Sequence, residues 1–314
     1  MRNLLSIALL AVAAPVAAPL AAQNAALPFT VQESGRGFAK LDEALMAIRG
    51  QDATILIAPG TYHECAIQQA GHIVFRAARP GSVIFEQTAC EGKAALVLRG
   101  AGSTVDGVVF RGFHVDDGNG AGIRIESGDL TVRNAMFLDS QEGILGGSGA
   151  DMPITIDHTT FAELGQCDQS PRCAHSIYLE TQGLVTVTHS RFERGNGGHY
   201  IKVRGPRVTI ADNSFDDTGG HKTNYMIDLP NGATGLIRGN TFVQGRDKEN
   251  WTGFIVVAAE AHDHSAAGLR IEGNTASLAP GETRSPAFVA DYSHERLAIG
   301  DNRLGKGVRA FETR

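Results

Sequence analysis

The chain reads as an all-β protein, a single-stranded right-handed parallel β-helix closed at its start by one capping helix. Three observations predict this. An eight-residue pattern recurs along the chain, glycine is abundant at 38 of 314 residues, and only 6% of residues are aromatic. Many glycines with few aromatics suit short strands joined by tight turns. The pattern reads LTVRNAMF at 130–137, ITIDHTTF at 154–161, VTVTHSRF at 185–192, VTIADNSF at 208–215 and GLIRGNTF at 235–242. Looser copies are TVDGVVF, LRIEGNTA and LAIGDNRL. Their closing residues fall at 110, 137, 161, 192, 215, 242, 276 and 304, a period of 23 to 34 residues. That spacing is too irregular for a propeller or a leucine-rich repeat.

In chain order, a short positive start and an Ala/Leu-rich apolar run with small residues near Ala22 predict a signal peptide over 1–22. Pro15 and Pro19 interrupt the run, and no later apolar stretch approaches bilayer-spanning length. The expectation is a secreted or periplasmic bacterial protein, free of a membrane anchor after cleavage and monomeric. Residues 23–314 carry no linker-like segment and read as one β-helix domain. Next, FAKLDEALMAIRG predicts an amphipathic helix with Phe38, Leu41, Leu45 and Ile48 on its apolar face, placed to cap the open end of the first coil. A strand and a turn at Pro59 and Gly60 follow. Four cysteines in an exported chain predict disulfides. Of the three connectivities, Cys65–Cys90 with Cys167–Cys173 needs the least rearrangement, and zinc is the weaker alternative because no Cys-x-x-Cys pair exists. Within each repeat, apolar residues alternate, then come Asn or His, a polar residue and Phe. One coil cannot bury such a row alone, so stacked coils should run Asn and Phe ladders up the interior.

A second strand follows in each coil: GIRIE, GILGG, SIYLE, YIKVR, MIDLP, FIVVA and AFVAD, aligned on the central Ile or Phe. The residue after that Ile points outward, giving a column of Arg124, Leu145, Tyr178, Lys202, Asp228 and Val256. Two residues on, a parallel column reads Glu126, Gly147, Glu180, Arg204 and Pro230. Tyr178, Glu180, Lys202, Arg204 and Asp228 thus share one patch, about 5 Å apart along the stack and about 7 Å along a strand. The bland alternative is an exposed ionic ladder, Glu180 to Arg204 and Lys202 to Asp228, with each pair contributing under about 1 kcal/mol. His175, His199 and Tyr225 stack just before these strands. Alternation turns the trio inward, and the bend at the strand start leaves its direction open. Nearby loops add His221, Lys222, Trp251 and Asn231 as substrate contacts. AHDHS at 261–265 matches no standard metal spacing. The formal charge of −6 is dispersed and offers no basic face for nucleic acid.

With APGTY at 58–62 and this coil pattern, the chain resembles the pectate-lyase-like superfamily of right-handed β-helices. It is also similar to secreted bacterial β-helix proteins carrying the HxIY, KxR and YxxDxPNG combination, here His175 to Tyr178, Lys202 with Arg204, and Tyr225 to Gly232. The resemblance implies a polysaccharide lyase, or the related uronate C5-epimerase, acting on an acidic polysaccharide. β-Elimination needs a group for the uronate carboxylate, a base and an acid. Arg204 suits the first, Lys202 or His199 the second, and Tyr178 or Tyr225 the third, with His175 beside them. The resemblance implies no definite cofactor. If calcium is used, as in some superfamily lyases, Glu180 and Asp228 are the carboxylates to hold it, although the dense Asp cluster of pectate lyases is missing. The alternatives are a glycoside hydrolase using Glu180 and Asp228, whose backbones would lie about 11–12 Å apart, and a non-catalytic carbohydrate-binding or envelope protein.

Overall fold

In the computed structural model, residues 27–147, 151–169 and 172–314 are described, and the expected signal segment 1–22 lies outside them. Turns redirect the chain every few residues, so a full coil contributes one short strand to each of three sheets. Among the described residues the first sheet orders twelve strands and the other two order ten each. The coils wind in the right-handed sense, as parallel crossovers nearly always do.

The recurring pattern is divided between two sheets. Asp129–Arg133 lies in the first, a bend follows, and Met136–Ser140 carries Phe137 in the second. Phe110, Phe137, Phe161, Phe192, Phe215 and Phe242 pair in register from coil to coil. Their rings stack at 4.8 to 5.0 Å, close to the strand spacing that sets the repeat.

The polar ladder forms as expected in the later coils and departs from expectation in the earlier ones. Asn134, His158 and His189 occupy the bend itself, with φ of 52, 48 and 47°, and face solvent. The next position turns inward, where Asn213, Asn240, Asn274 and Asn302 bond in series at 2.9 to 3.0 Å. A left-handed bend residue flips its side chain out of the coil, which moves the interior site one residue along.

The cap also departs from expectation. Helix α1 spans Leu41–Ile48, but Phe38 lies outside it in a hairpin of Phe29–Val31 and Arg36–Phe38. Phe29–Val31 pairs antiparallel with Ala53–Ile57 and covers the first edge of the sheet, a task expected of the helix alone. In the last aligned coil Ile255 pairs with Val289, not Phe288, a one-residue slip that places Phe288 beside Phe254 in the core at 6.1 Å. Both disulfides, Cys65–Cys90 and Cys167–Cys173, are present.

Candidate active site

The third sheet builds the site. Its pairings Arg124↔Leu145, Leu145↔Tyr178, Tyr178↔Lys202, Lys202↔Asp228 and Asp228↔Val256 set one outward column. His175, His199 and Tyr225 join this outer side, because Ser176, Tyr200 and Met226 form a bend before each strand that resets the alternation. Tyr200 and Met226 turn into the core. A groove of about 990 Å³ runs over this face, lined among others by His175, Tyr178, Glu180, His199, Lys202 and Arg204.

At its centre Lys202 Nζ donates to Asp228 Oδ2 at 2.8 Å and to Glu260 Oε1 at 2.5 Å. Arg204 is fully engaged. Its Nη2 donates to Glu260 Oε2, its Nη1 to Asn231 Oδ1 at 2.7 Å, and its Nε to the Tyr178 hydroxyl at 2.8 Å. Tyr178 in turn donates to Glu180 Oε1 at 2.6 Å. Burial, then the bond to Glu180, pushes the Tyr178 phenol up to about 12, so it keeps its proton at neutral pH.

The two histidines form a unit. His175 Nδ1 accepts the His199 amide at 3.0 Å, which leaves the His175 proton on Nε2. The two Nδ1 atoms lie 3.3 Å apart. His199 Nε2 lies 3.5 Å from Asp228 Oδ2. Burial drives both imidazoles toward the neutral form: His175 falls to about 3, helped by the charge of Lys202, and His199 falls well below its ordinary value, helped by His175 and Lys202. Gly198 makes this approach possible. It has φ +61, and a Cβ there would stand 2.0 Å from the Ala174 carbonyl and 2.5 Å from His175 Nδ1.

Several expected contacts sit elsewhere. Asp228 is 3% exposed beneath Lys202, so it holds the ammonium and faces His199 without reaching the groove. Burial raises its carboxyl, against the opposing charge of Lys202. Tyr225 packs on His199 at 5.6 Å, but its hydroxyl accepts from Asn250 Nδ2 at 2.6 Å. Trp251 lies under the Arg284 guanidinium, His221 pairs with Asp247 and Lys222 with Asp168, and none of the three lines the groove. Their loops curl against neighbouring loops instead of over the sheet.

Glu260 and Glu142 are groove residues that the sequence reading did not single out. Glu260 arrives from the loop after Gly253–Val257, where no repeat pattern reports position. Glu142 precedes the GILGG segment, and the pairing Ile144↔Ile177 puts it one coil before His175 in the same column. That signal was present in the alignment. Glu142 is 1% exposed, and burial raises its carboxyl well above the usual range while the His175 amide and Arg124 oppose. For metal, Glu180 and Asp228 are each taken by cationic partners. Among the described residues one group with metal-ligand geometry occurs, Asp157 with His158 and His189, at the bend of a different face. AHDHS at 261–265 forms no such group there.

A family model described as a right-handed beta helix region matches residues 94–282. No curated protein matches the chain. Among solved structures, ORF18 of Geobacillus virus E2 aligns at 13% identity and a TM-score of 0.44, over 87% of this chain and 57% of its own. Escherichia coli ybhc aligns at 11% and 0.34, over 95% and 76%. The PL6 family alginate lyase AlyGC aligns at 14% and 0.38, over 80% of this chain and 36% of its own. The chain thus spans little more than half of the first of these structures.

Proposed function

The chain belongs to the right-handed beta helix family, and on that scaffold we propose a lyase that cleaves an acidic polysaccharide by β-elimination. The observation that carries this reading is the Lys202–Arg204 pair. It already grips a carboxylate, that of Glu260, beside a neutral histidine and a protonated phenol. A uronate carboxylate on the same pair would have its charge neutralised, which acidifies the adjacent C–H. His199 takes that proton, the electron pair forms the C4–C5 double bond, and the C4–O bond breaks. Tyr178 gives its proton to the leaving oxygen. The products are a chain with an unsaturated end and a chain with a new hydroxyl end.

Lys202, donating to two carboxylates, acts in this scheme as a cation and not as the base. His175 accepts the His199 amide and so acts as a positioning residue. The hydrolase alternative fits less well, because Asp228 is buried under Lys202 and Glu180 is bonded to Tyr178 and faces Arg204 at 3.7 Å. The two disulfides support a location outside the reducing cytoplasm.

The test is incubation with alginate, polygalacturonate and other polyuronates, followed by ultraviolet absorbance of unsaturated ends. His199→Ala and Tyr178→Phe should each lower kcat by about 10²–10⁴-fold, and Arg204→Ala should raise KM as well. New reducing ends without absorbance would overturn the lyase reading, and full rates in both His199→Ala and Tyr178→Phe would overturn the residue assignment.

A further inference from the structure

Glu260 reaches the centre of the groove by a defined route. The chain leaves the strand Gly253–Val257 through Ala258 in the left-handed region, φ 56°, and the amides of Glu260 and Ala261 both donate to the Pro230 carbonyl at 2.9 Å. The base of the loop is thereby tied to the coil that also carries Asp228. Its side chain then spans Lys202 and Arg204, one carboxylate oxygen on each. Exposure is unequal across this contact: Glu260 is 46% exposed, Arg204 25% and Lys202 7%. The carboxylate therefore lies between the two cations and solvent.

A second carboxylate cannot take these donors while Glu260 keeps them, because two like charges would crowd one pair of cations. A neutral sugar brings hydroxyls only, and these make weaker bonds to a cation than a carboxylate does. We propose that Glu260 is a specificity-determining residue, an internal carboxylate that holds the Lys202–Arg204 pair until a sugar unit bearing its own carboxylate replaces it. The inference rests on the uronate reading of the groove. Exchange of one carboxylate for another changes the electrostatics of the pair little, and Glu260 has solvent beside it to move into. A neutral glycan leaves Glu260 in place and meets a filled site.

The contact predicts an effect opposite to that of an ordinary binding residue. Glu260→Gln should tighten binding of oligogalacturonate or oligomannuronate hexamers about tenfold, as expected for loss of competing charge-assisted bonds, measured by calorimetry. Glu249→Gln is the charge control. Glu249 lines the same groove but bonds Asn224 and touches neither cation, so its change should stay under about twofold. Glu260→Ala provides a second reading should the glutamine re-form part of the contact, and melting curves establish that each variant is folded.

Unchanged or weaker binding of acidic hexamers by both Glu260 variants, with binding by the wild type, overturns this inference alone. Equal tightening in Glu249→Gln also overturns it, since charge anywhere in the groove would then suffice. Failure of every acidic hexamer to bind wild type and variants, together with silence in the absorbance assay, overturns the uronate reading beneath it.

Discussion

At the scale of single residues, the groove works by burying ionisable groups next to one another. Glu142 is the clearest case. Its carboxyl is fully enclosed, its Oε2 and the neighbouring Arg124 Nε have no hydrogen-bond partner among the described residues, and burial raises its proton affinity. In the unfolded chain the same carboxyl loses its proton near the ordinary glutamate value of about 4.3. Above that pH the native state binds more protons than the unfolded state, so this residue's contribution to stability falls as pH rises, until the folded carboxyl itself ionises. Glu142→Gln removes that dependence. Relative to wild type, the variant should gain stability as pH rises above the usual carboxylate range, by up to about 1.4 kcal/mol per pH unit, read from urea melts at fixed pH. A constant difference above that range would show that Glu142 is ionised in the fold. Comparing variant with wild type is necessary because the depressed histidines act in the other direction below their usual titration range. Of the catalytic candidates, Tyr178, Lys202 and Arg204 were legible as one patch from coil alignment alone. Glu260 was not, because a loop position carries no periodicity.

At the scale of elements, the coils are held by ladders more than by isolated contacts. Asn240 shows how one rung works. Its Oδ1 accepts from the amide and side chain of Asn213, and its Nδ2 donates to the Ile210 carbonyl and to Asn274 Oδ1. Asn240→Ala orphans at least two buried backbone groups and should cost about 2–4 kcal/mol, seen as a lower urea midpoint. A loss below about 0.5 kcal/mol would mean that water replaces the rung. The interior ladder was legible at Asn213, Asn240 and Asn274, whereas in the earlier copies Asn134, His158 and His189 occupy the left-handed bend one residue before it. Backbone φ is not visible in a pattern of polar letters. The pair Asp217–Lys248 escaped notice for a related reason: both side chains are fully buried at 2.9 Å, yet neither lies on a repeating strand. The same limit applies to Trp251, His221 and Lys222, whose loops pack on neighbouring loops.

At the scale of the whole molecule, a solenoid exposes a strand edge wherever its stack ends. The hairpin and α1 meet this need at one end, where Phe29 pairs with Ile57 and both are fully buried. Deleting residues 27–52 should expose the Ala53–Ile57 edge and raise the scattering mass at micromolar concentration. An unchanged mass and melting temperature would show that the first coil closes without its cap. The sequence alone determined the coil architecture, the Phe stack, the disulfide pairing and the outward column, because each depends on residues that recur at matching positions. Only the tertiary structure decided that Glu260 lies across Lys202 and Arg204, that Asp228 is buried beneath the ammonium, and that the histidine pair faces out. Those outcomes depend on bends and loop paths, where one backbone angle redirects a side chain and no repeat records it.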